Sequence, residues 1–323
     1  MLSIAMGSLA CLAAMAQSTN VYSLPAVGYI NITCPSGFSL ASFQVDQYPN
    51  NDPAFTLNNT SGVFDGWQIM VWTNNNFAKY IGDHSAGSNA VNGWLEPDGP
   101  IQMNPGIGAV IYNASPDPYV ITLVGTIPHG HLGQTLNVGL NLVGFFVPVS
   151  WGLSSQMSFP PLSNGQLDGD QALLLYDSGA TTGYTVYTVD SLSYNLPTNL
   201  GWDGPSGQGE PFLDVGQAFW YRAANRPVQW TFDFAVNTAP SPELAQQPRR
   251  KMAGFERAMI SGDSRFQAKL SGRIGSAYVV ESSSNFKKWK AMETNTLLSS
   301  SWLYTDPEPA TNTSRFYRVW KVQ

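Results

Sequence analysis

The chain has 323 residues, enough for about two or three domains. Charged residues make up only 12% and aromatics 12%, with 30 glycines and 22 prolines, which suits short strands and tight turns and disfavours amphipathic helices with a long polar face. The net charge of −6 argues against a general nucleic-acid binder.

Residues 1–16 are apolar and end Ala14-Met15-Ala16 before Gln17. Small residues at these places mark a signal-peptidase site, so a signal peptide is expected over 1–16 and a secreted or cell-surface location for the rest. The segment is too short for a good membrane span, and no span is expected after its removal. Cleavage removes Cys11 and leaves Cys34 alone, so stability must come from packing. Cys34 ends an alternating strand and reads as a small packed side chain.

The mature chain begins with a strand over residues 21–33, and Gly37 to Val45 follows with Phe38, Leu40 and Ser42 on one face. After a polar loop, Asp65-Gly66-Trp67 turns into a strand ending at Trp72, and Phe77 to Ile81 is its hairpin partner. Gly93-Trp94 then leads to a glycine-marked turn and two apolar strands, Gly108 to Tyr112 and Tyr119 to Leu123. The same series recurs. Gly139 to Val147 matches Gly37 to Val45, Asp168-Gly169-Asp170 matches the Asp65 turn, and Tyr184 to Tyr187 replaces Phe77 to Tyr80. Gly201-Trp202 opens the last pair of strands. Recurrence in one order predicts a duplicated domain. The expected fold is all-β: two tandem related β-sandwich-like domains, residues 17–130 and 131–237, each of ordinary domain size. Residues 238–253, rich in Pro, Gln and Ala, read as an extended linker. A small immunoglobulin- or fibronectin-like sandwich is expected over 254–323, with Asp306-Pro307-Glu308-Pro309 as a turn.

Charge divides along the same lines. Residues 17–237 carry three basic and fifteen acidic side chains, a net −12, whereas residues from Arg249 onward carry thirteen basic and six acidic, a net +7. A basic module on a linker can fold back on its own body, meet another molecule's body or meet an acidic cell surface; docking on an acidic partner is expected, with head-to-tail self-association the simplest case.

Val27-Gly28-Tyr29-Ile30-Asn31, Gly37-Phe38-Ser39-Leu40, the Asp-Gly turn and the Gly-Trp segment resemble uncharacterised secreted β-sandwich repeat proteins of Verrucomicrobia-type bacteria. Tyr278 to Ser283, Trp289, Thr305-Asp306 and Arg315-Phe316-Tyr317-Arg318 are similar to a terminal module on many of their exported proteins. The resemblance spans most of the mature chain, rests on turn and core residues, and implies export and a modular β architecture. It brings no catalytic residue with it.

Chemistry is sparse. His84, His129 and His131 are the only histidines, and His129-Gly130-His131 lacks further metal ligands nearby, reading instead as a solvated turn. No Gly-x-Ser-x-Gly elbow, P-loop or dinucleotide fingerprint occurs, and no cofactor is expected. Asp168 and Asp170 resemble a fragment of a calcium loop without its remaining ligands; turn chemistry is the competing reading. Loop acids Glu96, Asp98, Asp203 and Glu210 are the material for a glycosidase pair, should two of them face each other. Trp94 and Trp202, in equivalent loops, are the binding candidates, either as platforms for sugar rings or as plugs at the sandwich ends. The expected role is an exported, non-enzymatic structural or adhesive protein of the cell surface or extracellular matrix. A carbohydrate-binding protein using Trp94 and Trp202 is the alternative, and a secreted glycoside-active hydrolase the next. A polysaccharide or another cell-surface molecule is the expected partner.

Overall fold

The computed structural model describes residues 26–159, 165–177, 182–192, 200–205, 209–236 and 250–322. The signal peptide, its cleavage site and linker residues 238–249 lie outside them.

In the first repeat, β1 (Val27–Cys34) and β2 (Gly37–Ser42) precede the short β3 (Asp46–Gln47) and one helical turn, α1 (Pro53–Thr56), capped by the Asp52 carboxylate. The hairpin β4 (Gln68–Thr73) and β5 (Asn76–Gly82) follows, then β6 (Trp94–Leu95), β7 (Gly108–Asn113) and β8 (Tyr119–Thr126). The second repeat runs through β9 (Gly130–Leu136), β10 (Gly139–Gly144), β11 (Trp151–Gly152), β12 (Gln171–Asp177) and β13 (Thr182–Val189). It closes with β14 (Trp202–Asp203), β15 (Phe212–Leu213), β16 (Ala218–Ala223) and β17 (Val228–Phe234).

Both repeats build the same antiparallel sheet. Its order is β2-β7-β4-β5-β6 in the first and β10-β16-β12-β13-β14 in the second. Register agrees as well, because Leu40 faces Val110 where Leu142 faces Trp220, and Ile69 faces Tyr80 where Ala172 faces Tyr187. A ribbon of the first and last strands, β1 with β8 or β9 with β17, accompanies each sheet. Strand alternation puts Ile30, Ile32 and Cys34 inward in one ribbon and Trp230, Phe232 and Phe234 inward in the other, all in one continuous core.

The two repeats meet reciprocally. Ser42 N–H donates to the Gly216 carbonyl at 2.8 Å, and Gly144 N–H, at the matching place, donates to the Gly106 carbonyl at 3.0 Å. Ala41 bridges Gln217 just as Val143 bridges Ile107. Leu40, Trp72, Phe77 and Val110 pack against Leu142, Leu173, Ala218 and Trp220, with the Trp72 and Trp220 rings edge to face at 5.5 Å. Residue i meeting j while j meets i is the signature of a twofold contact. The chain therefore carries a pseudo-dimer within itself. Gly144 permits the approach, since a Cβ there would lie 2.1 Å from Ser42 Oγ.

The terminal module has β18 (Arg250–Ala253), β19 (Phe255–Ile260), β20 (Arg265–Ser271), β21 (Ala277–Ser283), β22 (Lys290–Thr296), β23 (Ser301–Pro309) and β24 (Ser314–Val322). A sheet β19-β20-β23 packs on β22-β21-β24. In immunoglobulin-like lettering these correspond to A-B-E and to strands ending in C and F, beside which a last strand, G, belongs. Here that place is filled from elsewhere. β18 pairs with the far half of β24, and β1 of the first repeat pairs with its near half, from Val27 opposite Tyr317 to Ile30 opposite Ser314. Val27 and Tyr29 enter the module's core among Phe266, Leu270, Tyr304 and Tyr317. Asn31 ties the adjoining loop, its amide donating to the carbonyls of Ala310 (2.8 Å) and Asn312 (2.7 Å).

Three expectations are corrected. Residues 250–253 are strand rather than linker, so the module begins before residue 254. The module is also no separately moving basic tail: one sheet, β22-β21-β24-β1-β8-β3, runs from it into the first repeat. Its contact with the acidic body is made in cis by main-chain pairing and apolar side chains. Finally, Asp306 to Pro309 ends strand β23 instead of turning. β23 is an edge strand, where a proline's missing donor costs no ladder bond, and the register shifts beside it between Arg265 and Gln267.

Candidate functional site

Trp94 and Trp202 are both 0% exposed. Their indole N–H groups are satisfied internally, by the Leu57 carbonyl at 2.5 Å and by Ser154 Oγ at 2.9 Å. Neither presents a ring face to solvent, so the sugar-platform reading fails at these positions and both act as end plugs.

The calcium candidates are turn staples. Asp168 accepts from the backbone N–H and hydroxyl of Ser191, both at 2.8 Å. Asp65, its counterpart, grips the backbone and ring of His84 in the same way, and these bonds hold its carboxyl below the usual range. Asp170 is buried and accepts from the Tyr221 hydroxyl and the Ala224 N–H, each at 2.6 Å. Each of these oxygens accepts one protein donor, which favours the turn reading over a calcium loop. Among the described residues no group of three metal-ligating side chains occurs. His131 bonds Asp233 across the β9–β17 ribbon at 2.9 Å.

Two of the four loop acids are occupied, whereas a buried Glu96 oxygen has no hydrogen-bond partner among the described residues. Glu210 accepts from the N–H groups of Ser154 and Ser155, and Asp98 from that of Lys79. Burial, with Asp52 nearby, pushes the Glu96 carboxyl up. The two clefts described below hold one acid each, where glycoside hydrolysis needs a facing pair.

The larger cleft, about 1010 Å³, lies between the second repeat and the terminal module. One wall is Pro148 to Trp151 with Asp214 and Val215. The other is the β21–β22 turn, which carries Lys287 and Lys288, with Lys290 just beyond, and the floor includes Ser282, Ser283 and residues 312–315. Two inward-facing aromatics three positions apart explain the arrangement. Phe286 and Trp289 point inward while Lys287, Lys288 and Lys290 are exposed. Phe286 stacks on Phe316 at 4.0 Å and sits edge-on to Phe234 of the second repeat at 5.3 Å. The Trp289 N–H donates to the Phe286 carbonyl, and its ring covers Arg318, which is paired with buried Glu281 at 2.7 Å. Asn285 Oδ1 receives the N–H groups of both Lys287 and Lys288 at 3.0 Å. So fastened, Phe286 is held at φ 59°, a left-handed conformation costly for an aromatic residue. The lysines thus stand on a rigid turn. Lys287 Nζ lies 5.8 Å from the Trp151 ring centre. Arg315 is committed to Asp306 and Glu308, leaving three lysines against the single acid Asp214.

A second groove of about 770 Å³ lies between the repeats, with Trp72, Asn137 and Asn141 among its lining. Its polar groups are largely spent: the Trp72 N–H bonds the Leu140 carbonyl, and the Asn141 amide bonds the carbonyls of Asn137, Gly139 and Tyr221.

The basic cleft has the free groups, and sequence reasoning missed it. Its one visible signal was Lys287-Lys288-Trp289-Lys290, three of the chain's sixteen basic residues within four positions. No protein-family model, curated protein or solved structure matches this chain.

Proposed function

We propose that this is an exported, non-enzymatic structural or adhesive protein of the cell surface or extracellular matrix, and that it holds its partner in the cleft between the second repeat and the terminal module. One observation carries the reading. The cleft is walled by two parts of a single stitched body and offers an indole, hydroxyls, an amide and lysines, groups suited to holding a ligand rather than cleaving it. The apolar stretch over residues 1–16, read as an export signal, and the resemblance to secreted repeat proteins support the location. Within this reading, carbohydrate binding is favoured by Trp151, a partly buried ring at the cleft wall beside hydroxyl and amide groups.

The test is retention of purified protein on envelope and matrix material, compared with Trp151→Ala. Sedimentation of the wild type with that material and loss of retention in the variant is the expected result. Absence of retention on any such material would overturn the proposal, and release of reducing ends from polysaccharide would replace it with a hydrolase.

A further inference from the structure

We infer that the cleft between the second repeat and the terminal module is a binding site for an anionic polysaccharide, one bearing carboxylate or sulfate groups. The inference rests on the reading of this cleft as the binding site and adds the chemistry of its ligand. Lys287, Lys288 and Lys290 are exposed along one wall, and none has a carboxylate within 4.0 Å among the described residues. In a chain of net charge −6, three cations without a carboxylate partner in one cleft are not needed for solubility and create a local positive field. They are also held in place. Phe286 and Trp289 lock the turn from below, so little backbone ordering remains to be done on binding.

The surrounding groups choose among polyanions. The other wall carries the partly buried Trp151 ring, an apolar surface for a pyranose with Lys287 beside it, and Ser150, Ser284 and Thr313 line the same space. Lysine is a hydrated point charge that suits singly charged groups spaced along a chain. Its head is free to move on its stem, whereas forked phosphate recognition is the work of arginine; the one arginine here, Arg315, is committed internally to Asp306 and Glu308. Duplex DNA carries a charge about every 1.7 Å, and the acidic second repeat on one side of the cleft would repel so dense a polymer more than a sparsely charged one. A polysaccharide with one charge per sugar or per disaccharide matches three lysines spread along a cleft this size.

The experiment uses the full mature chain and titrates polygalacturonate, a sulfated glycan, a neutral glucan, duplex DNA and anionic lipid vesicles at low and high salt. Binding to one or both acidic glycans, weakened by salt, is expected. Lys287→Ala, Lys288→Ala and Lys290→Ala together should weaken it about tenfold, the product of three exposed charge contacts each worth roughly two- to three-fold. Lys79→Ala, outside the cleft, should leave it unchanged, and the melting temperature of each variant reports folding. Charge reversal of the three lysines to glutamate should abolish binding without unfolding, since all three side chains are exposed. Acidic-glycan binding that is unweakened by the triple alanine change, or that survives the triple glutamate change, would overturn the site. Binding of only the neutral glucan would overturn the charge argument while leaving the adhesive reading intact. Preference for DNA or vesicles over both acidic glycans would overturn the ligand class. Failure to bind any glycan, together with no retention on envelope or matrix material, would remove both.

Discussion

Gly28 tests how the terminal module is attached. It sits in β1 opposite Phe316 of β24, and a Cβ built on it would meet the Arg315 carbonyl oxygen at 2.5 Å and Phe316 Cδ1 at 2.7 Å. Gly28→Ala therefore wedges the junction while removing no apolar side chain from either core. The carbonyl belongs to the ladder and cannot swing aside, so the cost is that of overpacking, about 1–3 kcal/mol. Against it stand Val27 and Tyr29, whose burial in the module contributes roughly 3–6 kcal/mol, and the hydrogen bonds of Asn31. The anchors exceed the wedge. The junction should strain and remain closed, with the melting temperature lower by roughly 2–12 °C at about 2–4 °C per kcal/mol. Gly262→Ala is the control, because open space surrounds its Cβ position. Calorimetry supplies the melting temperature, and hydrogen exchange at residues 314–317 supplies the local protection. A Gly28→Ala protein that melts with the control and keeps full protection at 314–317 would refute the pairing of β1 with β24.

Two further predictions concern the repeats themselves. Leu40→Ala and Leu142→Ala should each cost roughly 2–5 kcal/mol in urea unfolding, and because both leucines sit in one cluster, at 9% and 5% exposure, the double change should depart from the sum. Burial pushes the Cys34 thiol from 9.0 up to about 11. A raised pKa means that the stability contributed is complete below pH 9.0 and is lost as pH climbs toward 11, so Cys34→Ala should show a shallower fall in melting temperature over that window than the wild type.

Much of the fold was legible because repetition is a property of order, and order survives drift in loops. Gly37 to Leu40 and Gly139 to Leu142 carry the same glycine-to-leucine spacing, and they occupy the same strand of the same sheet. The role of the tryptophans was not legible. A Trp beside Gly suits a plug or a platform equally, and the choice is made by Leu57 and Ser154, which accept the indole protons from 37 and 48 residues away. The cleft was hidden for a similar reason. Its walls come from residues 148–151 and 282–290, and neither segment has a local pattern pointing to the other. Asp306 to Pro309 misled because two prolines signal a turn unless the strand is known to lie at an edge, and edge position is a tertiary fact.

Why the module sits on the first repeat and not the second is answered by one pair of positions. On the outward face of the first ribbon Tyr29 stands opposite Val124; at the matching place in the second, His131 stands opposite Asp233. Tyr29 is buried in the module's core, and Val124 packs against it. His131 and Asp233 bond each other in water, and covering them would strip hydration from two polar groups for one existing contact. The first ribbon is thus built to be covered and the second to stay wet. Shape and apolar surface make this choice, and charge does not: were the +7 module held by attraction to the −12 body, its lysines would be spent on carboxylates. Instead β24 and Phe286 do the holding, and Lys287, Lys288 and Lys290 reach the cleft with their charges unspent.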